Sequence, residues 1–410
     1  MGHAALSLLR LVARFLDLQR KPSLDWLLPL SLLGLMLQSG GEPAAMVLPL
    51  VIWLALRLLQ RVRETPLAWA LLGILSVSLA TLLQPPSRSH LVDPLLLLIA
   101  FAVGTARPAA DWRRTLSILA LTLLPAAALV RFDRLNDNRD LIPWQGLRDW
   151  IPEQAMRLQD VAINDSAYIF ILLTLCAWVL LRWGTRGWQC WPVALLVLLG
   201  YGLLFGTGSR AGLVLPVLIA IALELLWWQR AALQRLTWAS FGVLLLLVLL
   251  FMLSFIHPAG PLAERNISDT GRAYVGRCFW REAVASPLLF FTGHGGDVVN
   301  ERCNQATRWS EQPEGLRHAH NQYLQTLADF GAIPLLLLLA GLGACWGHAI
   351  RALPSTDPIP ALLTLMATLV LMSFSLIEPV LLAVSFKQIL SGYLLAAAWP
   401  APGIQPRPLA

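Results

Sequence analysis

Apolar runs long enough to cross a lipid bilayer follow one another from residue 25 to residue 398, and no other feature constrains the fold as strongly. The hydrocarbon core is about 30 Å thick, so a helix of roughly 17–25 residues spans it. In lipid, every backbone N–H and C=O must be satisfied inside the segment that carries it, which a helix does and an open strand does not. The sequence therefore predicts an all-α, polytopic membrane protein. Composition agrees, with 57% apolar and 13% charged residues among 410, against about 25% charged in an average soluble domain.

Counting the runs predicts about twelve spans, near 25–40, 44–60, 67–84, 91–106, 115–131, 167–184, 189–206, 211–228, 237–257, 332–349, 358–377 and 379–398. The connections set their orientation. With the N-terminus in the cytoplasm, the inner segments carry Arg10, Arg14, Arg20, Lys21, Arg61, Arg63, Arg107, Arg113, Arg114, Arg182, Arg186, Arg230, Arg235, Arg351 and Arg407. The short outer connections hold little beyond Arg88 and Arg210, so the positive-inside rule selects this orientation with both termini inside. Two longer segments, 132–166 and 258–331, then face outward. The chain divides into 1–257 (an N-terminal interfacial helix and spans one to nine), 258–331 (a large outer loop) and 332–410 (three spans and a cytoplasmic tail). Met1–Ser23 mixes apolar residues with Arg10, Arg14, Asp17 and Arg20, which predicts an interfacial helix rather than a cleaved signal peptide. In the first outer segment, Pro152–Met156 reads as a short surface helix or as a solvated linker.

The segment 258–331 is a polar island. It carries Arg265, Arg272, Arg277, Arg281, Arg302, Arg308 and Arg317, with His294, His318 and His320. Such a stretch cannot sit in lipid and must lie at a membrane face. The net charge of +7 is almost wholly arginine, since Lys21 and Lys387 are the only lysines. Arginine favours planar, bidentate contacts to oxyanions, and a basic membrane protein suits anionic lipids and phosphorylated ligands. The chain has no helix-turn-helix, zinc-finger or RNA-binding signature, so nucleic acid is not an expected partner, and it shows no internal repeat, Walker motif or dinucleotide fingerprint. Cys278 and Cys303 share the outer loop, where an oxidising compartment permits a bridge or leaves two separate thiols. Cys278, Cys303, His318 and His320 lack the compact spacing of a zinc site.

His320 sits where the island meets the next apolar run, beside Asn321 and two residues after His318. Histidine is the side chain best suited to take a proton near neutral pH, although a lone histidine at a helix start is often structural. Arg210, within Gly206-Thr207-Gly208-Ser209-Arg210-Ala211-Gly212, falls at the same outer face, between spans seven and eight. It reads either as an interfacial anchor or, with glycines that permit close backbone approach, as part of an anion site. Together with the loop arginines it outlines a diphosphate clamp. Asn321 either orients His320 or caps the helix that begins there. Lys387, inside the last predicted span, faces a polar cavity or the bundle, since acyl chains would be costly.

These residues resemble a known group. His320-Asn321 followed by nine residues and Gly331 resembles the histidine motif of bacterial O-antigen ligases, and Ser209-Arg210-Ala211-Gly212 resembles their short arginine motif. The span pattern and the position of the large loop agree, so the resemblance covers most of the chain. O-antigen polymerases and protein O-oligosaccharyltransferases share the His-Asn pattern, and Pro334 departs from the Gly, Thr or Tyr common in ligases. A loop arginine ahead of a tryptophan maps to Arg272 or Arg277, before Trp280. The resemblance implies a C-type glycosyltransferase fold in the bacterial inner membrane, its active site facing the periplasm. It implies inverting transfer of polysaccharide from an undecaprenyl-diphosphate-linked donor to a sugar hydroxyl of lipid A–core. His320 would be the base, and Arg210 with Arg272 or Arg277 would hold the leaving diphosphate; His318, Asn321, Ser209 and Lys387 would line the substrate site. No metal and no cofactor is expected. Asp269, Glu282, Asp297 and Glu301 could argue for a metal, but they read as partners of neighbouring arginines. A transporter that binds anionic lipid without breaking a bond is the reading from another class, although the polar groups gather at one face rather than at the midplane typical of transporters.

Overall fold

The computed structural model describes residues 97, 100–101, 104–105, 111–135, 163–207, 209–256, 267–295, 298–306, 318–380 and 385–399. Helices are the regular elements among them. The interfacial helix expected at Met1–Ser23, the spans near 25–40, 44–60 and 67–84, and the stretch Pro152–Met156 lie outside the described residues.

The first block of helices is α1 (Trp112–Leu135), α2 (Ile163–Val179), α3 (Cys190–Thr207) and α4 (Arg210–Trp228). A π turn, Leu180–Gly184, ends α2. The middle of the bundle belongs to α2, which packs on α1, α3 and α4. Its stretch Ala167–Gly184 is 72% buried, against 28% for Gly187–Phe205 and 22% for Arg210–Trp228. The outward sides of α3 and α4 show Leu195, Leu198, Phe205, Leu218, Ile221 and Leu225. A stripe of this kind is costly in water and ordinary against acyl chains. Where α2 meets α3, a Cβ on Gly200 would run into the Thr174 hydroxyl, so the small residue sets the close helix approach.

After the short α5 (Arg230–Arg235), α6 (Thr237–Ile256) leads to the polar island. There the structure departs from the expected loop, forming α7 (Ile267–Ala283), α8 (Pro287–Thr292) and α9 (Val298–Ala306). Val275, Phe279 and Ala283 recur at a spacing of four and are fully buried. This single apolar stripe is enough for an amphipathic helix, and the arginines on its other faces hide it in a hydropathy reading. A Cys278–Cys303 disulfide joins α7 to α9, with 5.8 Å between the Cα atoms.

The last block is α10 (Gln322–Phe330), α11 (Ala332–Ala352), α12 (Ile359–Phe374) and α13 (Ser385–Leu395). Every residue of α10 is buried, between α7 and α11. The α12 helix packs on α2, α4, α11 and α13. Thr364 Oγ1 donates toward Leu394 O and Leu395 O and accepts from Ala398 N at 2.8 Å, tying α12 to the end of α13. Residues 97, 100, 101, 104 and 105 are helical, and the Leu97 backbone lies against Gly392 of α13.

Among the described residues, four helical stretches are long and apolar enough to cross a membrane: Ala167–Gly184, Gly187–Phe205, Arg210–Trp228 and Ala332–Ala352. Two shorter apolar stretches, Thr237–Leu253 and Ile359–Phe374, join them. The stretch expected as the span 379–398 is helical over the 11 residues Ser385–Leu395.

Candidate active site

The histidines lie on the short loop that leads into α10. Asn321 caps this helix: its side-chain oxygen accepts from Leu324 N at 3.0 Å, and its amide donates to Leu376 O at 3.0 Å. Gln322 N donates to Ser375 O at 2.8 Å, and the Tyr323 hydroxyl to Met372 O at 2.9 Å. Three consecutive residues at the helix start are thus bound to the turn after α12 or to its last residues. On the other side, Ala319 N donates to Gln325 Oε1 at 2.9 Å, and Gln325 Nε2 donates to Asp329 Oδ2 at 2.7 Å and Asn300 Oδ1 at 3.0 Å. The loop is clamped between α12 and the buried polar face of α10.

The turn after α12 also carries Glu378, whose Oε1 lies 3.1 Å from His320 Nδ1 and whose Oε2 lies 3.3 Å from His318 Nε2. The two imidazole centroids are 4.1 Å apart. Burial would push the Glu378 carboxyl up, but hydrogen bonds and charge from His318 and His320 outweigh it and hold it well below the usual carboxylate range. An ionised carboxylate only accepts hydrogen bonds, so the ring nitrogens facing it carry protons. That leaves Nε2 as the basic nitrogen of a neutral His320. His320 also has φ +48°, and it is the described non-glycine residue with a left-handed backbone. Such a conformation costs of order 1–3 kcal/mol and persists where the surroundings over-determine it.

Gly331 closes α10 at φ +89°, and a Cβ there would collide with the Phe291 carbonyl of α8. Gly293, at φ +72°, meets the Asp329 carbonyl in the same way. His294 N donates to Ala328 O and Gly295 N to Asp329 O, both at 2.9 Å. Glycine at the tenth position after Asn321 is therefore what lets the loop helices pass over the end of α10.

Arg210 is exposed and opens α4. A chain of contacts puts it at the histidine end of the bundle. A Cβ on Gly212 would sit 3.2 Å from Ala167 at the start of α2, the neighbouring Tyr168 packs edge-on at 5.3 Å against Phe374, and the turn after Phe374 receives Gln322 N. Ser209 is buried and caps α4, its hydroxyl accepting from Gly212 N at 3.2 Å. Arg277 is half-buried on α7, which packs on α10; Arg272 is on the same helix, with its side chain outside the described residues. Lys387 is 1% exposed, inside the bundle on α13. Glu282 pairs with Arg302 at 2.9 Å, while the side chains of Asp269 and Asp297 lie outside the described residues.

Sequence reasoning missed Glu378 and Gln325. The signal for Glu378 was present: it is the single residue between the predicted spans 358–377 and 379–398, at the same outer face as His320. Gln325 carries no distinguishing signal in the sequence, and only the fold buries it. His318, His320 and Glu378 offer three ligand atoms within 4.8 Å of one another, a set of the kind that holds a divalent ion. A cavity of about 460 Å³ between α2, α3 and α4, lined by Trp178, Tyr201, Glu224 and Trp228, lies toward the other end of α4 from Arg210.

No curated protein matches the chain. Residues 194–340 match the family model for O-antigen ligase. The matched segment runs from α3 into α11 and contains Arg210, Arg272, Arg277, His318, His320 and Asn321, together with the glycine that ends α10. Over this segment, the chain is similar to the O-antigen ligase family.

Proposed function

We propose that this protein is an O-antigen ligase of the bacterial inner membrane, working at the periplasmic face in lipopolysaccharide biosynthesis. It moves polysaccharide from undecaprenyl diphosphate to a sugar hydroxyl of lipid A–core, with inversion. About twelve spans and a periplasmic segment near 258–331 frame the site. His320 Nε2 takes the proton of the acceptor hydroxyl. The acceptor oxygen then attacks the anomeric carbon from the side opposite the diphosphate, which leaves with the bonding electron pair. Arg210 and one loop arginine, Arg272 or Arg277, meet its growing charge.

The observation that carries this reading is the imidazole of His320, held by a buried carboxylate at the bundle end that also presents Arg210. Transfer needs a base of fixed orientation beside a cationic clamp. The test is turnover by purified protein in detergent, with a synthetic lipid-diphosphate donor and a lipid A–core acceptor. Glycan on lipid A–core is the expected product, and His320→Ala should bind donor but lose at least about 100-fold in rate, as removal of a general base does. Growth of glycan on the donor lipid would instead identify a polymerase, and glycan on protein an oligosaccharyltransferase. Donor binding without any product would favour the transporter.

One observation supports a second arrangement of the same chemistry. The His318–His320–Glu378 set has the donor atoms of a divalent site, and there a metal rather than the arginines would carry the countercharge. Chelation distinguishes the two.

A further inference from the structure

We propose that Glu378 is the positioning residue of this site, a single carboxylate that holds His320 through one oxygen and is itself held in plane by His318 through the other. The inference rests on the reading of His320 as the base. It concerns a residue beyond the matched segment 194–340 and adds a role for His318 other than lining the substrate site.

Three observations carry it. Glu378 is only 6% exposed, and a buried charge is tolerated when it is paired. Each of its two carboxylate oxygens meets a histidine, at 3.1 and 3.3 Å. A carboxylate bonded through both oxygens cannot rotate freely, so the direction in which it pulls His320 is set. Finally, its backbone belongs to the turn that receives Gln322 N at Ser375 O and the Asn321 amide at Leu376 O. Base and carboxylate are therefore fixed to each other through main chain as well as side chain.

The proton balance follows. In the resting site, His320 carries a hydrogen on Nδ1, donated to Glu378 Oε1, and its Nε2 lone pair faces the acceptor. When the acceptor O–H bond breaks, its proton moves to Nε2 and the new C–O bond forms as the bond to diphosphate breaks. The imidazolium then stands against an ionised carboxylate, and its charge is balanced until Nε2 releases the proton to water. Glu378 exchanges no proton in this sequence. His318, 36% exposed, steadies the carboxylate from the solvent side.

The experiment is steady-state kinetics of full-length Glu378→Gln, Glu378→Asp and His318→Ala with the same donor and acceptor, together with thermal unfolding of each. In Glu378→Gln, kcat should fall at least about 100-fold while KM for both substrates stays within about threefold, the pattern of a lost orienting carboxylate. Glu378→Asp keeps the charge on a shorter arm and should recover part of this, losing about 3- to 30-fold. His318→Ala should lose about 3- to 10-fold, in kcat. If Glu378→Gln does not fold, Glu378→Asp decides alone: a loss confined to kcat supports the proposal, and parental kcat overturns it. Losses confined to KM, or an Asp variant as impaired as Gln, also overturn it. A parent without turnover would sink the functional reading itself. An active parent, a dead His320→Ala and a fully active Glu378→Gln would sink only the role of Glu378.

Discussion

At residue scale, the chemistry rests on groups whose conformation or charge is costly without their neighbours. The left-handed backbone of His320 is stabilised by hydrogen bonds at Ala319, Asn321 and Gln322, which flank it on both sides. Glu378 has a folded-state pKa below its unfolded value of roughly 4.3. Such a carboxylate stabilises the fold fully above the unfolded pKa, and the contribution is lost as pH falls through that value toward the folded one. The parent should therefore melt higher than Glu378→Gln at pH 7, and the gap should narrow as pH falls below about 4.3; a gap that does not narrow there would contradict the pairing. Arg210 is exposed at the mouth of α4, so its substitution should leave stability within about 0.5 kcal/mol, as exposed sites do. A bidentate role predicts that Arg210→Lys loses about tenfold or more in transfer and Arg210→Ala more still, because the ammonium keeps charge without the planar fork. Parental rates for Arg210→Lys would remove the fork from the mechanism. The same pair of substitutions at Arg272 and Arg277 identifies which loop arginine joins it.

Helix α10 is the element on which the site is built. It is nine residues long, wholly buried, and ended by a glycine that no other residue replaces without moving α8. Gly331→Ala meets both the φ of +89° and the Phe291 carbonyl. It should destabilise the protein by at least about 1–3 kcal/mol from the backbone strain alone, read as a lowered Tm, with activity falling because the histidine loop and α10 move together. An unchanged Tm would show that α8 does not pass over Gly331 as described. Part of α10 was legible in the sequence: Asn321 as a capping residue, His320 just before it, and Gly331 ten residues on in the motif that resembles that of the O-antigen ligases. The helices α7 to α9 were not. Their apolar stripe of Val275, Phe279 and Ala283 is interrupted by Arg277 and Arg281, and hydropathy averages such a stripe away.

On the scale of the whole molecule, the reading with arginine countercharge makes turnover independent of divalent ions. Exhaustive EDTA should leave the rate within about twofold, and Mg²⁺ should not rescue Arg210→Ala, because the leaving group already has its cations. Activity that dies in EDTA and returns with a divalent ion would establish the His318–His320–Glu378 set as a metal site instead.

The sequence by itself determined the class of the molecule. Apolar runs of bilayer length admit helices and little else, and the His-Asn and Arg motifs belong to positions that the chain must bring to one face. Those facts are local, carried by composition and spacing along the chain. Which residues meet was decided only by tertiary structure. Glu378 is 58 residues from His320 and 60 from His318, yet it touches both. It does so because α10, α11 and α12 fold back on one another and return the chain to the same end of the bundle. Lys387 and Ser209 were expected at the substrate site from the resemblance; their surroundings come from packing, which buries Lys387 inside the bundle and sets the Ser209 hydroxyl on the first turn of α4. Burial, pairing and the direction of a side chain are properties of the packed helices, and no window of sequence contains them.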